Sequence, residues 1–363
     1  MNICFLTHDL RSDYGAGVFS HRLVKAMVDY KNSKVVVLTS EYSGSPYELA
    51  ILYPQKIKLL RKCLHIRRIM RDCDIIHALD GFPYGVLAVL LSRGLGKKVI
   101  ITAVGSGAII PLYKFFWSWL MRYSYRHADV VTAISNFTKL EILKKMPDFS
   151  IRVINHGVDI KNFERAHTGA GELAVHQPYL LSVGTLRWRK GYHFSIRAFA
   201  TIAEEFPDLH YIIVGKKYKQ DYYLRLQNLI DELNLRNRVF ILEDVNSAEK
   251  LAAIYKSAEL FSLFSQNVNH DVEGFGLVFL EAAAAGLPVV GAKNCGIDDA
   301  VQEGKNGLLV ATRNPNDFAN AISAILRDQE LKKQMAEQSL AFARECTWEK
   351  RIAEYIDIYN QLS

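Results

Sequence analysis

Two glutamates frame the run Glu273-Gly274-Phe275-Gly276-Leu277-Val278-Phe279-Leu280-Glu281, which continues through Ala282–Ala285 to Gly286 and Pro288. Gly274 and Gly276 remove side chains where a helix is predicted to begin. The N–H groups of Gly274, Phe275, Gly276 and Leu277 can then point at ligand oxygens under a favourable helix dipole. Glu273 falls just before that helix and Glu281 about two turns inside it, so both can face one ligand. Carboxylates in such places can accept hydrogen bonds from sugar hydroxyls, so that one could hold a transferred sugar and the other a ribose. A plainer assignment makes Glu273 a first-turn partner of the dipole and Glu281 a surface residue. Against it, the helix is apolar almost all round, and a buried glutamate needs a partner.

A second cluster lies in Val183-Gly184-Thr185-Leu186-Arg187-Trp188-Arg189-Lys190-Gly191. Three cations between a strand and a helix suit a diphosphate, Lys190 as a point charge and Arg187 or Arg189 as a fork gripping two oxygens. The loop after the first strand carries Gly15-Ala16-Gly17 with Ser20 where a dinucleotide fingerprint has its third glycine. His8 to Tyr14 intervene, so the tight turn of that fingerprint is missing. Gly15 and Gly17 either let the backbone approach a phosphate or sugar ahead of a helix, or form an ordinary turn. Asp72-Cys73-Asp74 resembles a metal-binding pair of carboxylates. It precedes a strand instead of following one, so it reads as a turn and no metal is assigned.

These groups need strands to carry them. Short β-rich runs alternate with helical patterns along the whole chain, as in parallel α/β layers. Predicted strands are 3–7, 35–39, 75–78, 99–103, 130–133 and 152–155, then 179–183, 210–214, 239–242, 260–263, 289–291 and 307–310. Six and six predict two doubly wound, Rossmann-like sheets. The polar stretch 159–177, most linker-like at His167–Gly171, separates them. Expected domains are 1–165, 166–345 and a final segment 346–363. Ligands of open parallel sheets bind at the carboxyl ends of the strands, so two such domains facing each other would form one cleft.

The run EGFGLVFLEAAAAGLPVV with its E-x7-E spacing resembles that of retaining, nucleotide-sugar-dependent glycosyltransferases of family 4, with the GT-B fold. Similar stretches are ADVVTAISNFTKLEI (128–142), VINHGVD (153–159), VGTLRWRKG (183–191), IIVGK (212–216), KNGLLV (305–310) and a helix with Trp348. The resemblance implies a hexosyltransferase whose second domain binds the donor and whose first binds a glycan or lipid-linked acceptor. It assigns Lys190 to the diphosphate, Glu281 to the ribose, and Glu273 with the N–H groups of 274–277 to the donor sugar. No cofactor is implied beyond the nucleotide sugar as substrate. The final helix would cross back onto the first domain. Departures are Thr185 where many members have arginine, and Leu79 and Val104 where a histidine commonly stands near the donor sugar. His77 is the surviving histidine, an acceptor-side or acid/base candidate whose alternative is a core histidine at a strand end. A nucleotide-sugar hydrolase or epimerase, or a non-catalytic binding or membrane-docking protein of this fold, stays open as an alternative.

Composition bounds the partners. With 363 residues, 50% hydrophobic and 23% charged, the chain can bury a core and is neither disordered nor fibrous. Residues 1–165 hold 24 Lys+Arg against 13 Asp+Glu, net +11, whereas the remainder is net −4. The basic half suits donor phosphates or an anionic membrane surface, and no nucleic acid is expected. Two segments could meet lipid. Lys56–Arg71 has seven Lys/Arg and no acid, with Leu59, Cys63, Ile66 and Met70 on one stripe and Lys58, Arg61, Lys62, His65 and Arg68 mostly opposite. Leu112–Arg126 has a core-like stripe (Leu112, Phe115, Phe116, Trp119, Leu120, Tyr123) and a second stripe (Tyr113, Trp117, Met121) beside Lys114, Arg122 and Arg126, with Trp117 expected to insert. No apolar run is long enough to cross a bilayer, no secretory signal is recognisable at the start, and five scattered cysteines suggest reduced thiols. The expected place is the cytoplasm, peripheral on the inner face of the membrane.

Overall fold

A computed structural model describes residues 1–11, 15–30, 33–52, 56–166, 178–245, 247–311 and 314–363, the side chains of 56–60 excepted. The chain forms two compact units, Met1–His156 with Trp348–Ser363, and Gly157–Thr347. The linker-like His167–Gly171 lies outside the described residues. The first unit ends at His156 and not at 165 because the helix Ile160–Arg165 packs into the second unit, with Phe163 edge-on to Tyr255 at 5.8 Å.

In the first unit β1 (Asn2–Thr7), β2 (Lys34–Thr39), β3 (Glu48–Ala50), β4 (Ile75–Ala78), β5 (Lys98–Ala103), β6 (Val130–Ala133) and β7 (Arg152–Val153) form one parallel sheet, in the order β3-β2-β1-β4-β5-β6-β7. Register sets Phe5 beside Val37 on one side and His77 on the other. The runs Ile3–Leu6 and Ile75–Ala78 are buried throughout, as expected of parallel strands covered on both faces. Strand β3 escaped the sequence pattern. It is three residues long, and its Glu48 is buried, accepting the Ser43 N–H at 2.9 Å and the Ser43 O–H at 3.0 Å.

In the second unit β8 (Tyr179–Val183), β9 (His210–Val214), β10 (Val239–Leu242), β11 (Leu260–Leu263), β12 (Val289–Ala292) and β13 (Gly307–Val310) follow the order β10-β9-β8-β11-β12-β13, again all parallel. Both sheets are thus Rossmann-like, as the alternation of runs predicts. The strand order reverses between β1 and β4 in one unit and between β8 and β11 in the other. Loops leaving those paired carboxyl ends diverge to opposite faces and open a crevice, the usual ligand position in such sheets.

The final helix, Trp348–Leu362, belongs to the first unit. Phe19 lies 6.5 Å from the Trp348 ring and 5.9 Å from Tyr355, and the Tyr359 hydroxyl sits 2.7 Å from His77 Nδ1. The helix Phe115–His127 turns inward a different face from the stripe expected. Met121, Ser124 and Tyr125 are buried, and Trp117 packs edge-on to Phe82 at 4.8 Å. Phe115, Phe116 and Trp119 are exposed. Helical rotation is fixed by Tyr125, whose hydroxyl donates to the Ala108 carbonyl at 3.2 Å, so the count of aromatics did not decide the buried side.

Candidate functional site

The second unit assembles its polar cluster at the β8/β11 reversal. Strand β8 ends in Val183, and the loop that follows closes with the short turn Trp188–Lys190 before the helix Tyr192–Ile202. Gly191 joins them at φ +67°, and a Cβ there would lie 1.9 Å from the Phe264 carbonyl oxygen. Glycine is therefore required for the loop after β8 to lie against the loop after β11. Gln266 completes the union: its N–H donates to the Arg189 carbonyl at 2.7 Å and its side-chain amide to the Trp188 carbonyl at 3.2 Å.

That union brings three charges together. Glu273 Oε2 lies 2.6 Å from Lys190 Nζ and 2.7 Å from Arg189 Nη1, and accepts the Ser265 hydroxyl at 3.3 Å. Lys190 and Glu273 are both buried. Burial alone would push Glu273 up, but Lys190 and Arg189 hold it down at about 2. Burial lowers Lys190, opposed by Glu273. Arg189 also faces Asp271 at 3.4 Å, so its guanidinium serves two carboxylates. Arg187 stacks on the Tyr218 ring at 3.8 Å and has no carboxylate partner among the described residues. Of the two arginines, Arg187 is the one whose charge is left for an anion.

The helix of the glutamate run begins at Leu277, later than expected, because Gly276 precedes it in the left-handed region at φ +85°. Gly274 and Phe275 consequently belong to a loop, and Glu281 sits one turn inside the helix instead of two. Phe275 is buried at 3% exposure, so only its backbone could address a ligand. This loop lies flat on Gly296, whose N–H donates to the Glu273 carbonyl at 2.8 Å and whose Cβ position is 2.2 Å from the Gly274 backbone. Glu281 is partly buried and accepts the Tyr255 O–H at 2.9 Å. Burial raises its carboxyl to about 7, against the pull of Tyr255 and the field of Lys190. Tyr255 and Asp271 were not singled out in the sequence. Tyr255 sits on the helix Ala248–Lys256, which carries no motif, and Asp271 precedes Glu273 by two positions in a loop without a pattern.

In the first unit, Gly15 and Gly17 open the helix Gly15–Asp29; Gly15 is exposed and Gly17 buried. At the β1/β4 reversal, Asp9 is buried and Arg11 clamps it, with Nε at 2.9 Å and Nη2 at 2.6 Å from Oδ2. Arg11 also reaches Glu41 at 2.9 Å. His8, Asp9 and Glu41 have ligand atoms within 4.8 Å of one another, but this guanidinium already neutralises both carboxylates. Asp80, after β4, receives the Gly81 N–H at 2.7 Å, and burial raises it to about 8. Asp72 and Asp74 lie at the amino end of β4, where Asp74 Oδ2 accepts the Asn2 N–H at 2.8 Å, a turn partner.

His77 is corrected by its surroundings. Its ring is fully buried, with Nδ1 2.7 Å from the Tyr359 hydroxyl and Nε2 2.8 Å from Thr102 Oγ1. Burial drops it to about 3, so it stays neutral and tethers the final helix to the sheet. It is a core histidine and neither an acid/base nor an acceptor group.

Comparison with known proteins agrees with this architecture. The family model described as "Glycosyl transferases group 1" matches residues 165–341, and "Glycosyltransferase Family 4" matches 14–162. An uncharacterized glycosyltransferase of Methanocaldococcus jannaschii is 26% identical over 80% of this chain and 76% of its own length. A D-inositol 3-phosphate glycosyltransferase of Corynebacterium urealyticum is 33% identical over 58% of this chain and 51% of its own length. The N-acetyl-alpha-D-glucosaminyl L-malate synthase of Bacillus anthracis is 25% identical over 95% and 93%. Among solved structures, Anabaena HepE in complex with UDP superposes with a TM-score of 0.83 at 20% identity, covering 99% of this chain and 100% of that one. Sucrose-phosphate synthase of Thermosynechococcus elongatus gives 0.81 at 21% identity over 99% and 98%.

Proposed function

Since the chain belongs to the family-4-like glycosyltransferases of GT-B fold, we propose that it transfers a hexose from a nucleoside diphosphate sugar, with retention at the anomeric carbon, to a glycan or lipid-linked acceptor. The observation that carries the reading is the convergence of Lys190, Arg189 and Glu273 at the β8/β11 reversal, beside the Gly274–Gly276 loop and the Glu281–Tyr255 pair. Such an array offers cations for phosphate and carboxylates for hydroxyls within one crevice.

In this reading Lys190 donates to the diphosphate and Arg187 supplies the second cation. As the bond from the anomeric carbon to the diphosphate breaks, negative charge grows on the leaving oxygen. Lys190 and the backbone N–H groups at the start of the Leu277–Ala284 helix are already in place to stabilise it. Arg189 has a different part: paired with Glu273 and Asp271, it fixes the Glu273 carboxylate for the hydroxyls of the donor sugar. Hydrogen bonds donated by the ribose hydroxyls favour the carboxylate form of Glu281, which gives up its proton to solvent and keeps the Tyr255 O–H on Oε2. The chemistry is assigned to these groups without a metal. The first unit, with its crevice at the β1/β4 reversal, takes the acceptor.

The test is calorimetry with UDP and GDP, the two nucleotides named for relatives and structural neighbours, followed by NMR of the product's anomeric proton. One nucleotide should bind, and Lys190→Ala should weaken it about tenfold or more. Binding of neither nucleotide would refute the donor assignment, and an inverted product would refute retention.

A further inference from the structure

Outside the crevices, the first unit exposes an unusual surface at the helix Phe115–His127. Phe115 is 101% exposed, Phe116 72% and Trp119 69%, three large apolar rings within the first turn and a half. Beside them opens a cavity of about 500 Å³ whose lining includes Lys114, Arg122, Arg126 and Lys145 and no carboxylate. None of these four cations has a carboxylate partner among the described residues. Lys145 lies over the Tyr113 ring at 4.2 Å, and Arg122 Nε is shut away from solvent with no hydrogen-bond partner. The nearby acid, Glu141, is paired with Lys144 and receives the Tyr113 O–H at 3.4 Å.

Unpaired cations around a concavity call for an anion, and an unsatisfied buried guanidinium N–H calls for an acceptor oxygen. The exposed rings limit what kind of anion. A polynucleotide could neutralise the cations, but Phe115 and Phe116 have no polar edge and point clear of the surface. Burying them beside a layer of negative charge is what the boundary of an anionic bilayer does. Trp119 suits the same depth, where an indole can keep its N–H wet and its rings in hydrocarbon.

We propose that this surface is a membrane-docking site, with Phe115, Phe116 and Trp119 inserting at the headgroup boundary and the cavity of Lys114, Arg122, Arg126 and Lys145 taking the phosphate of an anionic phospholipid. It replaces the Lys56–Arg71 helix in that role. There Ile66 and Met70 are fully buried in the core, Cys63 is half-buried and Arg67 donates to the Leu91 carbonyl at 2.7 Å, so of the described stripe residues none is left exposed to insert; Lys58 and Leu59 have side chains outside the described residues. Trp117, expected to insert, is packed against Phe82.

The experiment is co-sedimentation of the full chain with phosphatidylcholine vesicles, with and without one-third phosphatidylglycerol, at low and physiological salt. Wild type should bind the anionic vesicles, hardly bind the neutral ones, and weaken with salt. A cation beside an anionic leaflet is worth about fivefold in partitioning, so Lys114→Glu/Arg126→Glu, both exposed, should lose about thirtyfold or more. Phe115→Ser/Trp119→Ser should also weaken binding, while Arg61→Glu/Arg68→Glu should change it far less. Thermal melting of each variant checks that it is folded. The proposal is overturned if wild type ignores anionic vesicles at low salt, or if the Arg61/Arg68 pair matters as much as the Lys114/Arg126 pair. Equal binding of single-stranded RNA would overturn it too, as would loss of vesicle binding to millimolar inorganic phosphate at constant ionic strength, which would make the cavity a site for free phosphate.

Discussion

Glu281→Gln should push stability and donor binding in opposite directions, and the pH at which this is measured decides the outcome. In the ligand-free protein burial raises the Glu281 carboxyl from an ordinary 4.5 to about 7. A carboxyl with a raised folded pKa favours folding in its protonated form. That contribution is intact below about 4.5 and disappears as the pH climbs through 7. At 1.36 kcal/mol per pH unit the displacement is worth about 3 kcal/mol, and partial exposure of the side chain reduces this to about 1–2 kcal/mol. Glutamine keeps the Tyr255 hydrogen bond and has no charge to desolvate. At pH 8 the variant should therefore melt a few degrees higher than wild type, and at pH 5 at the same temperature. Donor binding runs the other way. A group with a pKa of about 7 is ionised in about one molecule in eleven at pH 6 and ten in eleven at pH 8. If ribose hydroxyls need the carboxylate, wild-type affinity for a nucleoside diphosphate sugar should rise about tenfold over that span. The variant's affinity should be flat with pH and about ten- to a hundredfold weaker at pH 8. Scanning fluorimetry and calorimetry at pH 5, 6 and 8 measure both. A variant no more stable than wild type at pH 8, or a wild-type affinity that ignores pH, would refute the reasoning.

Lys190→Ala leaves a buried carboxylate with one cation fewer and should destabilise the second unit by about 3–5 kcal/mol, part of it recovered by Lys190→Ala/Glu273→Ala in urea melts. Because Glu273 is held down at about 2, its contribution is present above about 4.5 and lost as the pH falls toward 2, so Glu273→Gln should flatten the acid limb of the wild-type stability profile. His77→Leu should cost about 1–3 kcal/mol through the Tyr359 and Thr102 contacts and leave the pH profile of kcat unchanged, a profile that an acid/base histidine would reshape. Turnover should survive EDTA, and strict dependence on a divalent ion would refute the metal-free assignment.

The sequence by itself determined the two parallel sheets. Runs such as Ile3–Leu6 and Val99–Ile101 are apolar on both faces, as strands of a covered parallel sheet are, and strand ends marked by glycine and charge locate the loops. The short β3 was illegible because its inward residue, Glu48, is satisfied by Ser43, a partner that periodicity cannot supply. Within the site, Lys190, Glu273 and Glu281 were visible as residue types at telling positions. Their pairing was not. That Arg189 rather than Arg187 serves Glu273, and that Tyr255 answers Glu281, depends on contacts between loops and helices far apart in the chain. His77 looked like a remnant of a catalytic pattern until the final helix supplied Tyr359. The helix Phe115–His127 makes the same point about surfaces. Its composition offers two apolar stripes, and rotation set by Tyr125 against Ala108 buries Met121 of one and leaves Phe115, Phe116 and Trp119 of the other in solvent. Periodicity fixes which residues share a face; only the packed neighbours decide which face is inside.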